Sequence, residues 1–116
     1  MNEERTLTSL DGKLRTPERL NLKVAYEGPE GKVTIAIIYG LVWIFARYDL
    51  DLRSRDNLLA TVEVANAVFE TLRSKGIKYV YCTADSVSAF KFNELLGFKP
   101  VNAVIHDKHE VMEKEL

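Results

Sequence analysis

The sequence predicts an α/β (α+β) fold, a single mixed β-sheet with two main helices in the order β-β-β-α-β-α-β-β. Changes of period and the residues that mark them predict it. Apolar residues alternate or run continuously from Asn21 to Leu52, recur at helical spacing from Ser54 to Lys75, and return to β-rich runs at Ile77–Thr83 and beyond Pro100. Gly40, Gly76 and Gly97 stand where one pattern gives way to the next. A helix lying between strands of one sheet makes a crossover connection, so the sheet is mixed.

The first twenty residues are set apart as a charged arm, and the domain proper is residues 21–116. In the arm Glu3, Glu4, Arg5, Asp11, Lys13, Arg15, Glu18 and Arg19 are interspersed with Leu7, Leu10, Leu14 and Leu20. Thr16-Pro17 is a polar cap before proline at a first helical position, so the arm is expected to hold at most one helical turn. Leu22, Val24 and Tyr26 then alternate with Asn21, Lys23 and Ala25, the pattern of a half-buried strand. Gly28-Pro29-Glu30-Gly31 is a turn by residue type. Val33–Tyr39 is a nearly continuous β-rich run, expected to be buried on both faces. Gly40 interrupts it, and Leu41–Leu52 is expected as the third strand of an antiparallel meander.

Leu58, Val62, Ala65, Phe69 and Leu72 form one face of a helix over 56–75. Ser54 or Asp56 is placed to cap its start; Arg73 and Lys75 put cations in its last turn, and Gly76 stands just beyond. Ile77–Thr83 is the next strand and should be central. Asp85-Ser86 opens a second helix over 86–96, ended by Gly97, with Phe98 placed to pack back on Phe92. Pro100 bars continuation. Val101–Ile105 and Glu110–Leu116 are two closing strands around the turn His106-Asp107-Lys108-His109.

Length and charge narrow the class. A chain of 116 residues, 47% hydrophobic and 28% charged, hides roughly two thirds of its unfolded surface on folding and needs no disulfide or metal staple. Sixteen basic against seventeen acidic side chains give a net charge of −1, which exerts no global pull on nucleic acid or an anionic membrane. The longest apolar stretch, Val33–Ala46, is broken by Thr34, Tyr39 and Gly40 and falls short of the ~18 residues a membrane helix needs. The polar, acidic start has none of the features of a signal peptide. Cys82, alone, cannot close an internal disulfide and suits a reducing compartment, so a cytoplasmic location is expected.

Three segments carry a resemblance to a known family: the long helix ending ETLRSKGIKYVYC, the segment SAFKFNELLGFKPV and the closing strand EVMEKEL. In order and spacing they resemble the GNAT superfamily of acyl-CoA-dependent N-acyltransferases, firmly over Asp56–Leu116 and more loosely over Leu22–Arg55. The resemblance implies acetyl-CoA or another acyl-CoA as co-substrate, an amine acceptor and no metal. It implies that the CoA pyrophosphate meets the turn Arg55-Asp56-Asn57-Leu58-Leu59-Ala60, where backbone N–H groups at a helix start face an anion. Arg53, with Leu50 and Leu52 at the end of the third strand and Ser86, Phe90 and Asn93 from the second helix, completes the implied donor site.

The chain departs from the family pattern at telling places. Leu58 (Leu59 in the neighbouring register) stands where the phosphate turn has its middle glycine. Asn93 stands where many members carry the tyrosine that protonates the departing thiolate, and an amide cannot do this usefully near pH 7. Ser86 replaces an asparagine. The family's first strand and first two helices have no evident counterpart in Met1–Leu20.

Candidate chemistry stands beside plainer readings. Asp49 and Asp51 fall on one face of the third strand if it runs regularly, where a carboxylate can deprotonate the incoming ammonium; otherwise they are a solvated strand end paired loosely with Arg47 and Arg53. Arg53 and Arg55 suit phosphates, or are surface arginines; the interleaved acids argue against RNA. His106, Asp107 and His109 are short of the four ligands of structural zinc and read as a polar hairpin. Cys82 reads as a small buried hydrophobe. Tyr79, Tyr81 and Thr83 share a face that either stacks a ligand or is core, and Tyr48 is a possible aromatic replacement for the missing acid.

Two function classes follow. One is a divergent N-acyltransferase; the other is a catalytically inactive interaction module that kept the fold, meeting a protein partner or a second copy through the arm and a bare sheet edge. An opening between the strands carrying Leu50 and Val80 separates them.

Overall fold

The computed structural model describes residues 23–105 and 108–116. The elements are β1 (Lys23–Gly28), β2 (Gly31–Ile38), β3 (Leu41–Tyr48), α1 (Arg55–Ser74), β4 (Tyr79–Ala84), α2 (Val87–Leu95), β5 (Lys99–Ile105) and β6 (His109–Glu115). This is the predicted order. The arm with its helical turn, Asn21 and Leu22 of the first strand, and His106 and Asp107 of the closing turn lie outside the described residues. The sheet runs β1-β2-β3-β4-β6-β5, with β3 and β4 parallel and every other neighbouring pair antiparallel. No helix among the described residues is long and apolar enough to cross a membrane.

The meander is set by a two-residue hairpin. Tyr39 (φ 53°) and Gly40 (φ 79°) are both left-handed, the turn whose twist matches that of the flanking strands. It pairs Ile38 with Leu41, and the ladder then runs in step to Gly31 and Tyr48. Because its partner strand begins at Gly31, β3 stops at Tyr48 rather than Leu52. One further bond, Asp49 N–H to Glu30 O at 3.0 Å, precedes a turn closed by Ser54 N–H to Asp51 O at 3.2 Å. The interior of β2 is only partly as expected. Val33 and Ile35 face one core cluster, Ala36 and Ile38 the other, but Ile37, nearer the hairpin than Val33 and Ile35, is 57% exposed.

Both helices serve one face of the sheet. Val68, Phe69 and Leu72 of α1 join Val42, Val80, Cys82, Ala84, Leu96, Phe98 and Met112 in the larger cluster, with Ala89, Phe90 and Phe92 of α2 packed against it. Ser54 caps α1, its Oγ accepting from Asn57 N–H at 3.5 Å. On the opposite face Trp43 and Tyr81 lie ring to ring at 5.6 Å among Ala36, Ile38, Ile105 and Val111. Tyr81 is therefore core, its hydroxyl donating to Glu113 Oε2 at 2.7 Å, and the Tyr79-Tyr81-Thr83 face is not an open stacking platform. In β5, Asn102 (φ 57°) marks a register shift between Pro100 and Val104, a bulge at the sheet's edge.

Phe98 departs from expectation. It meets Phe69 edge-on at 5.8 Å, while Phe92 meets Tyr48 at 5.1 Å. Gly97 (φ 100°) turns the chain at the end of α2, Phe98 N–H bonds Asn93 O at 3.0 Å, and the ring is carried beneath α1. Lys114 Nζ sits 5.1 Å from the centre of the Phe69 ring.

Cys82, central as expected, is 8% exposed, and burial pushes its thiol up to about 12. Since the thiolate is the reactive form, a disulfide reagent at pH 8 should leave the native protein unlabelled and label it fully in denaturant; fast native labelling would contradict this burial. The folded-state value is raised above that of the unfolded chain. Its stabilising share is therefore whole below pH 9 and lost as pH climbs toward 12. The melting temperature should fall across that window, less steeply in Cys82→Ala.

Candidate functional site

The sheet opens where the parallel pair of β3 and β4 diverges. Trp43 opposite Tyr81 is the only register pair between β3 and β4. Beyond it β3 continues on β2 alone, through Ile44–Tyr48, and Cys82–Ala84 of β4 continue on β6 alone. The parting leaves a cavity of about 330 Å³ beneath α1. Val33, Ile44, Val68, Phe69, Leu96 and Phe98 give it apolar walls, with Thr61, Cys82 and Asn93 among them. Tyr26, Glu30, Lys32, Arg47 and Asp85 also border it. The Tyr26 hydroxyl donates to Glu30 Oε1, which holds the Glu30 carboxyl below the ordinary carboxylate range and the Tyr26 phenol above its own.

Tyr48 is the side chain that the parting most affects. Residues 42, 44, 46 and 48 alternate onto the helix side of β3, so Tyr48 comes to line the cavity with Asn93. Its ring stands edge-on to Phe92, and desolvation of the hydroxyl, followed by the neighbouring Cys82, pushes its pKa up to about 12. The phenol therefore keeps its proton throughout the neutral range.

The carboxylates lie elsewhere. With β3 ending at Tyr48, Asp49 and Asp51 do not share a strand face, and neither borders the cavity. Asp49 is gripped by Arg47 at 3.0 and 3.1 Å. Asp51 accepts from the Arg53 backbone N–H and from its Nε and Nη2, each at 3.0 Å. Those bonds hold the Asp51 carboxyl below its usual range, which makes it a weaker base.

Most of the implied donor residues gather at the entry to α1. The Arg53 side chain is 92% exposed; Arg55 opens the helix and makes no ion pair with a described residue. Asn57 donates from Nδ2 to Asp51 O at 3.1 Å. Leu50, Leu52, Leu58 and Ala60 are half-buried and Leu59 is exposed, none of them on the cavity wall; Thr61 is the first residue of α1 to reach it. The α2 residues divide. Ser86 caps that helix, its Oγ accepting from Ala89 N–H at 3.1 Å. Ser86 and Phe90 line a second, shallower depression with Lys91 and Glu110. Asn93 alone of the three lines the cavity, its Nδ2 directed to Thr83 O at 3.4 Å and Met112 Sδ at 3.6 Å. Thr61 carried no signal in the sequence, whereas the strand alternation that selects Tyr48 was there to be read.

No protein-family model matches the chain, and no curated protein does. Solved structures do. The crystal structure of a "putative acetyltransferase from Agrobacterium tumefaciens" superposes with a TM-score of 0.57 at 12% identity, over 100% of this chain and 94% of that one. An acetyltransferase from Bacillus cereus ATCC 14579 superposes with a TM-score of 0.62 at 17% identity, over 97% and 88%. At such identities the likeness concerns the fold. With the element order and the divergence of β3 from β4, it establishes that the chain has a GNAT-like fold.

Proposed function

We propose that the chain is an acyl-CoA-binding N-acyltransferase whose donor site is the opening between β3 and β4. The divergence of those two strands above an apolar cavity is the observation that carries this reading. Each strand is fully paired on its far side, so the backbone groups facing the opening suit an extended, amide-containing chain such as the pantetheine arm of CoA. At the entry, the first N–H groups of a helix have no partner within it. Ser54 takes that of Asn57, so those of Arg55 and Asp56, with the Arg53 and Arg55 guanidinium groups, are the donors for the phosphates.

The transfer needs no metal. The acceptor nitrogen adds to the thioester carbonyl, the C–N bond forms and the C–S bond breaks. The proton lost by nitrogen passes to water, and the CoA sulfur takes one up. Positioning supplies most of the acceleration. Tyr48 steadies the departing sulfur by O–H···S hydrogen bonding. A phenol near 12 does not surrender its proton to a thiolate whose conjugate acid is at ~8.5, but it donates a hydrogen bond to the developing anion. Asp49 and Asp51, clamped at the surface, are not assigned as bases.

One observation favours a second reading, the inactive interaction module. The Asp51 carboxylate already receives the Arg53 donors, so the turn carries an anion of its own where a phosphate would sit.

Calorimetric titration with acetyl-CoA and free CoA separates the two. The acyltransferase reading expects saturable one-to-one binding, weakened about tenfold in Arg55→Ala, the scale of one charge-assisted hydrogen bond. Asp51→Asn should tighten binding by up to about fivefold, the scale of an exposed ion pair. Absence of both heat and thermal shift at millimolar CoA leaves the interaction module. In a transfer assay, Tyr48→Phe should bind CoA as wild type does and lose about a hundredfold in kcat; an unchanged kcat would remove Tyr48 from the chemistry.

A further inference from the structure

We infer that the group carried by the donor is an apolar acyl chain of roughly six to eight carbons seated beneath α1, rather than acetyl. The inference rests on the reading of the β3–β4 opening as the donor site and names its substrate class. Protein interiors are packed with few voids larger than a water molecule, yet here a cavity of about 330 Å³ runs into the main core of the domain, against Phe69 and Phe98. An apolar cavity of ~150 Å³ accommodates a six-carbon ring. The cavity has about twice that volume, shared between the opening at Arg47 and Tyr48 and the apolar end against Phe69 and Phe98, where the group beyond the thioester would lie.

The chemistry of the walls selects the kind of chain. Val33, Ile44, Val68, Phe69 and Leu96 present only hydrocarbon to the cavity. Thr61 and Asn93, polar groups that share the wall, are already bonded elsewhere, while Arg47, Tyr48 and Asp85, which also border it, are exposed residues. Thr61 Oγ1 donates to Asn57 O at 2.8 Å, and Asn93 Nδ2 is directed to Thr83 O and Met112 Sδ. A polar or charged acyl group would lose its water there and find little to replace it. A saturated or branched aliphatic chain loses nothing, and each buried methylene contributes.

Titration of the full chain with free CoA and with acetyl-, butanoyl-, hexanoyl- and octanoyl-CoA tests this. The dissociation constant should fall by at least tenfold from acetyl to octanoyl, most of the gain arriving by hexanoyl. In Val68→Phe, which places a ring in the cavity, the acetyl and octanoyl affinities should converge. Val64→Phe, from the same wall, repeats the test if the first variant fails to fold. Equal affinity for acetyl-CoA and octanoyl-CoA would overturn the inference and leave the donor-site reading standing. A preference for octanoyl that survives both substitutions would put the chain elsewhere and overturn it also. Failure of every thioester and of free CoA to bind would remove the donor site itself.

Discussion

The structure depends on a parallel strand pair that is held at one point and then let go. Trp43 opposite Tyr81 is that point, and the two rings pack against each other on the face away from the helices. Past it, each strand satisfies its backbone on its outer neighbour only: β3 on β2, β4 on β6. Buried backbone donors and acceptors are rarely left without partners, so two inner edges facing one another across a gap require water or a ligand between them. The position of α1 above the gap, the depth of the cavity and the placing of Tyr48 all follow from this divergence.

Much of the fold was legible because it is written in period. The change from strand alternation to the Leu58-Val62-Ala65-Phe69-Leu72 spacing, with Ser54 before it and Gly76 after, fixes α1 almost to the residue. The end of β3 was not legible. Leu50 and Leu52 continue an alternating pattern, but a strand ends where its partner ends, and Gly31 is a fact about β2 rather than about the residues after Tyr48. That misplaced end carried Asp49 and Asp51 onto a strand face they do not occupy, whereas Tyr48, a candidate from the sequence, does reach the cavity. Phe98 was misread for a related reason. The turn at Gly97 was visible, but whether the next ring falls on α2 or under α1 depends on packing far away in sequence.

The entry to α1 shows how local charge is handled in a nearly neutral chain. Arg47 with Asp49 and Arg53 with Asp51 are each two residues apart and each closed by two side-chain hydrogen bonds. At the surface such pairs contribute little to stability. What they do is hold a short connection in one conformation and use up charges that would otherwise act at a distance. Arg55, just inside the helix, is left out of this pairing among the described residues.

The glycine that ends α2 reaches further than its turn. Its φ of 100° excludes ordinary side chains, and a β-carbon there would stand 2.5 Å from Lys114 Nζ. That ammonium rests over the ring of Phe69, a contact that favours the face of the aromatic, and Phe69 is part of the cavity wall. A residue with no side chain thus leaves room for a cation that meets the ring, and the ring is part of the boundary of the hollow under α1. The inner boundary of the hollow thus touches, through one lysine, the helix terminus behind it. Its capacity is set also by Val64 and Val68 of α1 and by Val33 and Ile44 of β2 and β3.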